Sequence, residues 1–140
     1  MSAEENKAIA RRFYAEVWNS GNMDVADELL AADFVDHAAP PGFASGVAGA
    51  KQVFSFYRAA FPDLQVNAED LIAEGDRVVA RWSSSGTHQG DFMGIPPTGK
   101  QVQITGIDLF RFSGGKIAEH WGVFDQLGML QQLGVAPSPG

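Results

Sequence analysis

Apolar residues change their period once along this chain. Up to about residue 61 they recur at helical spacing. Ile9, Phe13 and Val17 fall every fourth residue with Tyr14 and Trp18 beside them, which predicts a helix over about 3–19, stopped by Ser20-Gly21-Asn22. Val25, Leu29 and Leu30 mark a short second helix. Phe34-Val35-Asp36-His37 then reads as a short strand, and 38–46, with two Pro and two Gly, as a loop. Val53, Phe54, Tyr57 and Phe61 give a third helix, about 47–60, its apolar stripe, and Pro62-Asp63 ends it. Beyond that point the period falls to two. Segments 64–73, 77–87, 102–112 and 116–124 read as four strands joined by Gly-containing turns, and 126–133 as a short closing helix. Helices followed by a run of antiparallel strands is an α+β pattern, and helices packed on one face of such a sheet leave room for a pocket between the layers.

A two-residue turn at Gly114-Gly115 sets the parity of the last hairpin. Ser113 then pairs with Lys116, Phe112 with Ile117, Phe110 with Glu119 and Asp108 with Trp121. One face carries Asp108, Phe110, Phe112, Ile117, Glu119, Trp121, Val123 and Asp125; the other carries Leu109, Arg111, Ala118, His120 and Phe124. The first, more apolar face is expected to look inward, and His120 to look outward. A carboxylate on an apolar face is raised in pKa by desolvation and so suited to proton transfer near neutrality. Asp125 is therefore a candidate pocket acid, or else the N-cap of the closing helix. Asp108 is a pocket acid or a structural partner, and Glu119 a structural partner of Arg81 or Arg77. His37 and His88 end strands, where pocket rims form. Trp82 shares its parity with Ser84 and His88. With Trp121, Phe110, Phe54, Tyr57 and the hydroxyl of Tyr14, it is a candidate to line a flat apolar cavity.

Composition narrows the classes. The 140 residues fit a single domain, 1–140. Ten Lys and Arg against 17 Asp and Glu leave a net charge of -7 and no basic patch, which speaks against a nucleic-acid partner. There is no cysteine, hence no disulfide, thiol nucleophile or Cys-ligated metal. No apolar stretch approaches the roughly 20 residues of a membrane span, and the N-terminal segment lacks the apolar core of a secretory signal. A cytoplasmic protein without membrane contact is the expectation. The three histidines show no paired spacing, so no metal site is expected.

Phe34-Val35-Asp36-His37, Phe61-Pro62-Asp63-Leu64, Gly75-Asp76-Arg77-Val78-Val79, Gly86-Thr87-His88-Gln89-Gly90, Pro97-Thr98-Gly99-Lys100 and Gly115 to Trp121 with Asp125 and Gln132-Leu133-Gly134 together resemble the SnoaL-like polyketide cyclase (ester cyclase) family of the NTF2-like superfamily. The resemblance covers nearly the whole chain. It implies a cone of about three helices on a strongly curved, mainly antiparallel mixed sheet, and homodimers formed through the sheet. It further implies an intramolecular aldol condensation of a polyketide ester by an acid/base Asp, with no metal or organic cofactor. Asp125 looks like that Asp, and Asp108 like the second acid of hydroxylating relatives. The cyclases place a histidine two residues beyond that second position, where this chain has Phe110. On this reading Asp125 takes a proton from a carbon between carbonyls and returns it to the new alkoxide, while His88 or His37 hydrogen-bonds the enolate. The alternatives are a non-catalytic binder of a small apolar or polycyclic ligand and another enzyme of the same fold, an isomerase, dehydratase or epoxide hydrolase. The last would draw on Asp108, Arg111 and Asp125, although Arg111 has the wrong parity.

Overall fold

The structure, a computed structural model, describes residues 2–137. Helix α1 (Ala3–Arg12) starts at a capping box in which the Ser2 hydroxyl accepts from Glu5 N and the Glu5 carboxylate from Ser2 N. The single helix expected over 3–19 divides here. After Arg12 the chain widens into a π-helical segment, Phe13–Asn19, with the i→i+5 bond Ser20 N to Ala15 O at 3.1 Å. The wide turn lets Phe13, Tyr14 and Trp18 all reach the same cavity. Arg58 covers the carbonyls this leaves open, donating to Trp18 O and Asn19 O. Helix α2 (Met23–Leu29) is capped by Asn22 and passes directly into β1 (Leu30–Asp36), so the strand begins four residues before the expected Phe34. Helix α3 (Gly46–Ala60), β2 (Gln65–Glu74), β3 (Arg77–Thr87), β4 (Gln101–Ser113), β5 (Lys116–Phe124) and α4 (Gln126–Leu133) follow the expected order.

The five strands form one mixed sheet in the order β1-β5-β4-β3-β2, antiparallel except where β1 lies parallel to β5. Gly114 and Gly115 both have positive φ (57° and 79°), which the right-handed twist of a two-residue hairpin requires and most residues resist. The hairpin starts as expected, with Ser113 opposite Lys116 and Phe112 opposite Ile117. It then slips: the next pairs are Arg111 with Glu119, Phe110 with His120, Leu109 with Trp121 and Asp108 with Gly122. Ala118 is the extra residue of a β-bulge. One inserted residue reverses the facing of everything after it. The expected parity is therefore corrected beyond Ile117. His120 joins Asp108 and Phe110 on the inner face, while Glu119 and Trp121 go to the outer face with Arg111. The adjacent apolar pair Ile117-Ala118 breaks the alternation and is the one sequence signal of this bulge.

The helices cover the inner face, and a continuous core lies between the layers, including Val17, Ala26, Val78, Ala80 and Ile117, all with no exposed surface. The 88–100 connection contributes Phe92, also 0% exposed, which packs against Phe56, Tyr57 and Phe61 behind the cavity wall. A two-way backbone pair fixes it, Phe92 N to Ile95 O (3.0 Å) and Ile95 N to Phe92 O (2.8 Å). Replacing Phe92 with Ala is expected to cost about 3–5 kcal/mol, read as a lower urea midpoint at unchanged slope.

Candidate active site

A cavity of about 380 Å³ opens between the helices and the sheet. Aromatic side chains make a large part of its wall: Phe13, Tyr14 and Trp18 from the π-helical segment, Phe54 and Tyr57 from α3, Trp82 from β3 and Phe110 from β4. Ala38, Ala39 and Pro40 form part of the lining beyond β1, with Phe124 at the end of β5 and Gln126 at the start of α4. Gly106 has no side chain because the Trp82 ring occupies the space a Cβ would need. The Trp82 indole N–H is buried and has no hydrogen-bond partner among the described residues.

Against this apolar wall three strands and one helical segment bring four polar groups into a single chain. Tyr14 OH donates to Asp108 Oδ2 at 2.6 Å. Asp108 Oδ1 meets His120 Nε2 at 2.8 Å, and His120 Nδ1 meets Asp36 Oδ1 at 2.8 Å. The Ala38 N–H also donates to Asp36 Oδ1 at 2.9 Å. Among the described residues Asp36 Oδ2 accepts nothing, and Asp36 lines the cavity. Phe110 stacks on the imidazole, ring centroids 5.3 Å apart. Gly122, opposite Asp108, lets the pair close up: a methyl there would overlap Asp108 Oδ1 and crowd His120 Nε2.

The electrostatics follow from this geometry. Both imidazole nitrogens face carboxylate oxygens, so both donate and the ring is an imidazolium. Burial opposes that charge, but the hydrogen bonds and negative charges of Asp108 and Asp36 outweigh it and push His120 up to about 9. Asp36 is desolvated too, yet His120 and the Ala38 amide hold it below its usual range. Burial, with the nearby Asp108 charge, pushes the Tyr14 phenol far up, so it stays a donor. Tyr57 is raised by burial and then by Asp36. Among the described residues no group of three or more His, Cys, Asp or Glu side chains is arranged to hold a metal ion.

Of the residues singled out from the sequence, Asp108, Tyr14, Trp82, Phe110, Phe54 and Tyr57 lie on the cavity wall. Asp125 does not. It is exposed, and its Oδ1 accepts from Gly128 N at 2.9 Å as the N-cap of α4, the second of its two expected roles. His88 is fully buried but away from the cavity. Its Nδ1 accepts from Thr98 N at 3.2 Å and pins the 88–100 connection, because Thr98 folds back onto the end of β3. His37 and Trp121 stand on the outer face, stacked on each other at 4.7 Å. Glu119 pairs with His37 and Arg111 rather than with Arg81 or Arg77. Sequence reasoning missed Asp36 and His120, the two groups that complete the polar chain. The bulge hid His120, and the parallel pairing of β1 with β5 that brings in Asp36 is not a local pattern.

The fold and the site together define a small α+β domain with a largely apolar cavity and a buried acid/base network. The family model described as SnoaL-like polyketide cyclase matches residues 8–133, and the chain belongs to that family. It is 32% identical over 119 residues to the nogalonic acid methyl ester cyclase of Streptomyces nogalater, covering 84% of this chain and 89% of that protein. It is 31% identical to the aklanonic acid methyl ester cyclase AcmA of Streptomyces galilaeus, covering 93% and 91%. The solved structure of TsrD from Streptomyces laurentii superposes with a TM-score of 0.88 at 28% identity, over 96% of this chain and 98% of that one.

The network links stability to pH. His120 binds its proton more tightly when folded than at its ordinary value of 6.5, so its contribution is complete below that pH and is lost as pH rises through about 9. That loss is expected to be on the order of 3 kcal/mol. Asp36, shifted the other way, contributes above its ordinary value of 3.8 and loses that contribution on acidification. Chemical denaturation from pH 6 to 10 checks the alkaline arm, which His120→Gln is expected to flatten.

Proposed function

We propose that this protein catalyses a cofactor-independent, aldol-type ring closure on a small, apolar, carbonyl-rich compound of the polyketide ester class. The observation that carries the reading is the Tyr14–Asp108–His120–Asp36 chain set in an otherwise apolar cavity. Asp36 Oδ2 takes a proton from a carbon flanked by carbonyls, where the resulting carbanion is already delocalised as an enolate. The enolate carbon adds to a second carbonyl of the same molecule, one C–C bond forms, and the new alkoxide takes the proton back from the Asp36 carboxyl. The His120 imidazolium, locked between its two acids, offsets the negative charge throughout, and the dry aromatic wall strengthens that effect. Tyr14 holds Asp108. The cavity volume lies at the small end of the range for drug-sized ligands and suits a compact fused-ring compound. The names of the cyclases matched above point to the same reaction class.

Turnover of nogalonic or aklanonic acid methyl ester, followed chromatographically, tests this. Asp36→Asn is expected to lower kcat by about 10²- to 10⁴-fold. Asp125→Asn is expected to stay within about twofold of wild type, because Asn caps a helix as well as Asp does. A wild-type protein that turns over neither ester, yet melts at higher temperature with them bound, would instead be a ligand-binding protein.

We further propose that the outer sheet face forms a homodimer. Val79, Ile107 and Ile72 are exposed, at 37%, 48% and 67%. Ile107→Glu is expected to shift the sedimentation coefficient from dimer to monomer; a wild-type monomer at 100 μM (roughly) would refute it.

A further inference from the structure

Behind the cavity, the same three strands carry a second side-chain chain on the outer face. Arg111 Nε on β4 donates to Glu119 Oε1 on β5 at 2.5 Å, and Glu119 Oε2 meets His37 Nε2, one residue past β1, at 2.7 Å. The pairing register puts each link beside a cavity link. On β1 and β5, Val35 faces Glu119 and Asp36 faces His120; on β4 and β5, Arg111 faces Glu119 and Phe110 faces His120. The His37 N–H also donates to His120 O at 2.8 Å. Acid–imidazolium–acid on the inside thus stands against guanidinium–acid–imidazole on the outside. The His37 ring lies nearly parallel to Trp121, at 9°, and Arg77 sits over the same indole at 5.5 Å.

Partly exposed ion pairs add little stability by themselves, so stability alone is a weak reason for this arrangement. The position of β1 is a stronger one. Among the described residues it is an edge strand paired with β5 alone, and its register slips between Leu30 and Val35. Helix α3 packs on it, but its end is held by sheet bonds on one side, and such ends are where fraying begins. A displacement of about 1 Å would carry Asp36 out of hydrogen-bond reach of His120.

We infer that Glu119 is a positioning residue: through His37 it fastens the end of β1 to β5 and so holds Asp36 against His120. The inference rests on the proposed reaction only for its effect on turnover, and its test needs no substrate. The groups facing His120 are Asp36 from β1 and Asp108 from β4, with Tyr14 of the π-helical segment bonded to Asp108 and Tyr57 of α3 near Asp36. No substitution below alters any of them.

The experiment follows the titration of His120 by ¹H–¹³C NMR on histidine-labelled full-length protein, with resonances assigned from His→Gln variants and folding checked by circular dichroism. In Glu119→Ala the midpoint is expected to fall by about one pH unit, a tenfold loss of proton affinity. His37→Phe keeps a ring on Trp121 and removes the link to Glu119 together with an imidazole that acts on Asp36; it is expected to lower the midpoint in the same direction. Loss of the Glu119 charge alone would lower the midpoint in the first variant and not in the second. Arg81→Ala breaks the Arg81–Asp70 pair on the same face and is expected to leave it unchanged. An unchanged midpoint in His37→Phe, or an equal fall in Arg81→Ala, overturns the inference.

Discussion

An imidazolium enclosed by protein is stable only while its counter-charges stay in place. His120 has two, Asp36 and Asp108, and they come from different strands on either side of β5. Desolvating three charges together costs several kcal/mol per ion unless the hydrogen bonds are well formed. Much of the local structure serves that geometry. The Ala118 bulge turns His120 inward, Gly122 leaves room for Asp108, the Ala38 amide orients Asp36 and Tyr14 holds the far oxygen of Asp108. Each is a small feature, and losing any one would leave a buried charge with an incomplete shell.

The same arrangement underlies the proposed chemistry. In that proposal the apolar cavity excludes water from the reacting carbon acid, while one fixed cation beside one open carboxylate oxygen supplies the charge complementarity that an enolate needs. Neither element achieves this alone. A carboxylate in an apolar wall without His120 would tend to take up a proton and stop being a base. An imidazolium without its acids would lose its charge to desolvation. The π-helical segment belongs to this design as well, since it turns the Tyr14 hydroxyl and the neighbouring aromatic rings toward the same space.

Most of the framework could be read directly from the chain. The change of period from helical to alternating, the Gly114-Gly115 turn, the closing helix and the aromatic wall of Tyr14, Phe54, Tyr57, Trp82 and Phe110 all depend on contacts near in sequence or on simple burial. The site was harder. Asp108 was legible because the inserted residue lies on β5 and leaves the alternation of β4 intact. Asp125 had two readings open, because an acid after an alternating strand resembles a pocket residue as closely as it resembles a helix cap, and the fold uses it as the cap. His120 and Trp121 were assigned to each other's faces by a strict alternation that a single inserted residue defeats.

The sequence by itself determined the α+β class, the order of elements and the apolar character of the cavity, because hydrophobic periodicity and turn chemistry are local and repeat many times; its motifs, separately, carried the resemblance to the family. The tertiary structure alone decided which acids meet which histidine. That choice depends on one bulge and on a parallel strand pair joining residues 84 apart in sequence, Asp36 and His120. Neither carries a repeating signal, so alternation along the hairpin pointed outward for the imidazole that the fold turns toward the cavity.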